Sequence, residues 1–145
     1  MTTPAQHSPA APRSGPREYA RTHWRLAALA FAIDAALVTL FAALGRSSHA
    51  REATLLGLWQ TAWPFLCALA LIWISARVSK RPFAPIKSGL SVWFGTAAVG
   101  LLLRGLTGGG VAFPFVLVTL GALGVFLVGW RIIAQLILRI AARPR

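Results

Sequence analysis

The chain has 145 residues, of which 57% are hydrophobic and only 12% charged, with a mean hydropathy of +0.66. About a quarter of a soluble domain is charged, and a globule this small has too little interior to hide so much apolar surface. The net charge of +12 stands in short clusters between long apolar runs rather than along one helical face, so it reads as membrane sidedness and not as a nucleic-acid footprint.

Residues 1–21 are polar, rich in Pro, Ala and Ser, and without hydrophobic periodicity, which predicts a disordered cytoplasmic tail. A four-helix transmembrane domain is predicted over residues 22–138, with apolar runs at about 26–44, 54–75, 89–106 and 112–134. Crossing a hydrocarbon core takes about 20 residues. Unbroken runs of this length carry no period-two alternation, which argues against strands. The first run exceeds the h-region of about 7–15 residues that a signal peptide uses, and it contains Asp34, so it reads as a retained helix. Residues 139–145 form a second basic cytoplasmic tail.

Orientation follows from the cations. Arg13, Arg17, Arg21 and Arg25 precede the first run, and Arg46 and Arg51 follow it. Arg77, Lys80, Arg81 and Lys87 occupy the central connection. Arg104 stands alone at the third, and Arg131, Arg139, Arg143 and Arg145 close the chain. Alternate sides hold twelve and three, which predicts an all-α, polytopic bundle with both termini inside (N-in/C-in). Trp24, Trp73, Trp93 and Trp130 fall at the inner ends of the four runs and Trp59 at an outer end, as an interfacial aromatic belt would. Thirteen Arg against two Lys, with no Asn, fits a GC-rich bacterial genome, so the expected location is the bacterial cytoplasmic (inner) membrane.

Asp34 is the most informative residue. Counted along the helix it lies about 12 Å from the inner edge of its run. An acid near the bilayer centre costs about 2.5–3.5 kcal/mol on insertion scales, so it should face other helices rather than lipid. Ranked by depth, its candidate partners are Thr96 and Cys67 at about the same level, then Arg131 from nearer the inner surface. Arg131, the inner-face candidate, reaches part of the way. Asp34 is either a protonation or cation site in a transport path or a buried polar anchor between helices. Gln60 and Thr61, beside the carbonyl that Pro64 frees, make the outer half of the second helix polar. Asp34, Gln60 and Thr96 are thus the intramembrane polar candidates.

At the outer face Arg46, His49, Arg104, Gly108 and Gly109 form a candidate anion site, because glycine amides ahead of a helix can cradle an anion. The simpler reading is a tight glycine turn, a helix started by Pro114, and snorkelling arginines. Ala28, Ala32 and Ala36, Ser91 with Gly95, Thr96 with Gly100, and Gly121 with Gly124 predict close helix packing. Ala62-Trp63-Pro64-Phe65-Leu66 echoes Ala112-Phe113-Pro114-Phe115-Val116, a faint sign of hairpin duplication. The acids are Glu18, Asp34 and Glu52 only, and neither hydrolase motifs nor metal-spaced Cys and His occur, so no catalytic residue, metal or cofactor is expected.

Several landmarks together resemble a family of small membrane proteins known mainly from actinobacteria, domain of unknown function 3054. They are Asp34, Gly45-Arg46 with Ser48-His49, Trp63-Pro64-Phe65, and Pro82 and Pro85 ahead of Gly89. Val92-Trp93, Arg104 before the glycines, and Gly129-Trp130-Arg131 complete the set. The resemblance runs from about Arg25 to Ile133 and implies a four-helix membrane protein with no activity attached. The expected function is a non-enzymatic structural or accessory membrane component. The alternative is a small oligomeric transporter or channel using Asp34 in the membrane and Arg46, His49 and Arg104 outside. Expected partners are the lipid bilayer with its anionic phospholipid headgroups, and a second copy of the chain or another membrane protein.

Overall fold

A computed structural model of the chain describes residues 16–47 and 54–142. Four helices carry the fold: α1 (Pro16–Ser47), α2 (Leu55–Ser75), α3 (Leu90–Leu106) and α4 (Phe113–Ala141). All four are long and apolar enough to cross a membrane, over Arg21–Arg46, Leu55–Ser75, Pro85–Leu106 and Phe113–Ala141. Among the described residues there is no strand. The chain is an all-helical, four-span bundle in which successive helices run up and down.

Two helices are longer than their apolar runs. α1 begins at Pro16, so residues 16–21, predicted to belong to the disordered tail, are helical. Proline suits a first helical turn because its missing N–H has no helical acceptor there. α4 continues to Ala141, so residues 139–141, predicted as tail, are helical too. No Gly or Pro stands between Gly129 and Pro144 to stop it. α2 starts where Thr54 accepts a hydrogen bond from the Gly57 amide at 3.2 Å.

The core draws on every helix: Ala30, Val38 and Phe41 of α1, Phe65 and Leu69 of α2, Val92 and Ala97 of α3, Leu123 and Leu127 of α4. Around it Leu55, Ile74, Phe94, Leu117, Val125 and Ile133 turn outward, more than half exposed. That ring of apolar side chains suits lipid and would be a liability in water.

The small residues divide. Gly95 lies against Ile72, Gly100 against the Phe65 ring and Gly124 against the Trp93 indole, so these glycines do bring helices together. Gly121 faces open space. Ala28, Ala32 and Ala36 are exposed, against expectation. The buried stripe of α1 is Ala27, Ala30, Asp34, Val38 and Phe41. Residues two apart lie about 200° around a helix, so burying Asp34 turns Ala32 and Ala36 outward.

The connection from α2 to α3 is not a simple loop. It holds a 3₁₀ turn at Val78–Lys80 and a π-helical turn at Pro85–Gly89. Val78, Pro82 and Ser88 are buried, so the segment folds under the bundle and closes the end from which α1 starts and at which α4 finishes, termed the inner end as a label for position in the bundle.

Candidate functional site

The inner end of the bundle is organised around one ion pair. Asp34 of α1 and Arg131 of α4 are both fully buried. The Arg131 guanidinium meets the carboxylate end-on, donating from Nη1 to Oδ1 and from Nη2 to Oδ2, each at 2.7 Å. This two-pronged geometry is the strong form of a charged hydrogen bond. The Trp73 indole of α2 donates to Oδ2 at 2.8 Å, and the Trp130 indole of α4 donates to Oδ1 at 2.9 Å. A carboxylate has about four lone-pair sites, and protein donors fill all of them.

Arg131 is satisfied from its other side. Its Nε donates to the Pro82 carbonyl at 2.9 Å and its Nη1 also donates to the Leu127 carbonyl at 2.7 Å. The guanidinium carbon lies 4.7 Å from the centre of the Trp130 ring, within cation–π reach. Phe31 packs edge-on against Trp73, and Phe83 against Trp130, fixing both indoles. Gly89, at the head of α3, leaves room for the Arg131 stem: a β-carbon there would stand 3.3 Å from Cδ. All four spans and the inner connection therefore converge on this pair.

Of the three candidate partners ranked by depth, the last, Arg131, is the one that pairs with Asp34. Cys67 is exposed on the outside of α2. Thr96 is buried, but its hydroxyl makes no hydrogen bond, and neither does that of Thr119. Arg131 is not at the inner face; it lies inside the bundle. What depth counting lacked is the connection before α3, which folds inward so that its Pro82 carbonyl meets Arg131 inside the bundle. The indoles of Trp73 and Trp130 serve Asp34, and that of Trp93 donates to the Leu120 carbonyl at 2.8 Å. These three are internal donors rather than belt residues. A buried indole N–H needs an acceptor, and that need was the available clue.

Among family models, the one described as protein of unknown function (DUF3054) matches residues 31–134. The chain belongs to the DUF3054 family. The match begins three residues before Asp34 and ends three after Arg131, so the whole pair falls inside the DUF3054 region. No curated protein and no solved structure gives a match.

The outer end of this DUF3054 protein is built differently. Arg104 of α3 donates from Nε to the Gly110 carbonyl at 3.1 Å, and its guanidinium carbon lies 4.7 Å from the centre of the Phe115 ring. Gly108 and Gly110 adopt φ of +76° and +70°, a left-handed conformation that glycine takes freely. The Gly109 amide donates to the Arg104 carbonyl at 2.9 Å, so it closes the turn and is not held out for an anion. Pro114 sits in the first turn of α4. The glycines thus make the tight turn of the simpler reading.

Arg46 lies over Gly57, where any β-carbon would collide with its guanidinium. It shares with Arg104 a cleft of about 380 Å³ that Thr61 and Phe115 also line. Gln60 is exposed beside a neighbouring cavity of about 330 Å³ lined by Trp63, Pro64 and Gly108. His49 lies outside the described residues. The two proline pentads also part company: Pro64 is buried within α2 while Pro114 opens α4, although Phe65 and Phe115 meet at 6.4 Å.

Proposed function

We propose that this DUF3054 protein is a non-enzymatic structural or accessory component of the bacterial cytoplasmic membrane. One observation carries the reading: every acceptor position of Asp34 is taken by a donor of the protein itself. A carboxylate in a transport path must exchange partners with a passing proton or ion. Here exchange would strand a buried guanidinium, at a cost of several kcal/mol. The pair is an anchor that fixes four spans in one arrangement, and a rigid span bundle is suited to holding a partner.

The proposed orientation places both termini and the twelve-cation side in the cytoplasm, where that side attracts anionic headgroups. A reporter fused at residue 48 should read as external, and a cytoplasmic reading would reverse the orientation. The expected partner is a second copy of the chain or another membrane protein. Crosslinking in the native membrane should capture it, and recovery of the bare chain alone at every crosslinker length would count against the accessory role.

A second reading, a small oligomeric transporter or channel, draws on the cleft that Arg46 and Arg104 share. Flux in proteoliposomes separates the two. The anchor predicts no ion-dependent flux that Asp34→Asn selectively abolishes. Such a flux, lost in a variant that still folds, would replace the anchor with the transport reading.

A further inference from the structure

At the inner end, a groove of about 640 Å³ runs between α1 and α2 on the outside of the bundle. From α1 it is lined by Trp24, Ala28 and Phe31, which follow one another at helical spacing. From α2 it is lined by Ala70 and Ile74, one helical turn apart, and just beyond that helix by Arg77. The alanines leave the floor low, and the aromatic rings and Ile74 stand as walls. Along α1 from Trp24 to Phe31 the groove is about 10 Å long, enough for the headgroup-proximal part of an acyl chain.

Polarity is confined to one end. Arg77 and Lys80 close the groove just past the last residue of α2, Ser75, where headgroups lie. No acid stands among the described residues that line it. Arg77 is also the one non-glycine residue with positive φ among the described residues, at +50°. Glycine would end α2 in that conformation without strain, so an arginine there points to a use for its side chain.

We propose that this groove is a discrete site for one anionic phospholipid, its chain between Trp24, Phe31 and Ile74 and its phosphate on Arg77 and Lys80. It rests on the membrane-spanning reading but on neither the orientation nor the accessory role. The inner wall of the groove is Trp73, whose indole holds Asp34, so a bound chain presses on a ring that belongs to the anchor.

The test is native mass spectrometry of the full chain released from a mixed bilayer of phosphatidylglycerol and phosphatidylethanolamine. The unaltered protein should retain phosphatidylglycerol in preference. Arg77→Gly, which suits the local backbone and so preserves folding, should lower retention about five-fold, and adding Lys80→Gln about thirty-fold. Arg139→Gln, exposed on α4 away from the groove, should leave retention unchanged. Ala28→Trp, which fills the floor, should reduce retention of both lipids. Release with the bulk lipid composition would overturn the site, as would an equal loss in Arg139→Gln, which marks diffuse attraction. Capture of a protein helix on this face in place of lipid would overturn it as well. Recovery of the chain as a soluble, detergent-free monomer would instead remove the membrane reading beneath it.

Discussion

Arg131 and Arg104 stand at opposite ends of the bundle and use the same side chain in different ways. Arg131 is wholly removed from solvent and donates to one carboxylate and two carbonyls. Arg104 is half-buried, leans on one aromatic ring and donates to a carbonyl of its own turn. How deep a cation can be drawn depends on how many acceptors are in place to receive it. The inner end supplies them from α1, α4 and the connection before α3. The outer end relies on glycine-rich turn geometry and leaves its arginines at the rim of a cleft.

The widest gap between the two ends should come from removing one member of the pair. Asp34→Asn and Arg131→Gln should each cost about 3–5 kcal/mol, read as a lowered unfolding midpoint in detergent, because each leaves a buried polar group short of its partner. Asp34→Asn combined with Arg131→Gln should cost clearly less than the sum of the two single changes, since no charge is then stranded. A cycle in which the two losses simply add would mean that the residues act independently. Replacing the flanking indoles should matter less. Trp73→Phe and Trp130→Phe each remove one hydrogen bond to a charged acceptor, about 1.5–3 kcal/mol, with Trp130 the costlier because Arg131 also lies over its ring.

Gly100→Ala probes packing without charge. Its β-carbon would strike the Phe65 ring, and a loss of about 1–3 kcal/mol is expected, partly restored by Phe65→Leu. The smallest effect belongs to the outer end. Arg104→Gln should cost about 0.5–1 kcal/mol, the worth of an accessible cation–π contact. A loss equal to that of Arg131→Gln would erase the distinction between the ends. Anion-dependent thermal stability that Arg104→Gln removes would restore the outer binding site.

The spans were legible because apolar run length is a direct physical requirement of the bilayer. Asp34 was legible as the sole acid within those runs. Its partner was legible only as the last of three candidates, because Arg131 stands in a terminal group of cations that reads as a membrane flank. The pair also spans 97 positions of sequence, and helix depth alone does not report a connection that folds inward. Trp73 and Trp130 were hidden in the same way, since an indole near a span end is equally consistent with headgroups or with an internal acceptor. The exposed faces of Ala28, Ala32 and Ala36 show that the rotation of α1 follows the stripe of Asp34, Val38 and Phe41 rather than the spacing of its small side chains.

The long reach from Asp34 to Arg131 also bears on biosynthesis. A nascent chain halted after the third span would carry an acid within its first span and lack the cation that neutralises it. The first span is therefore poorly settled in lipid until the fourth emerges, and the insertion machinery must shelter it through the intervening synthesis. A chain truncated before Leu127 should consequently be a substrate for membrane quality control, while the complete chain escapes it.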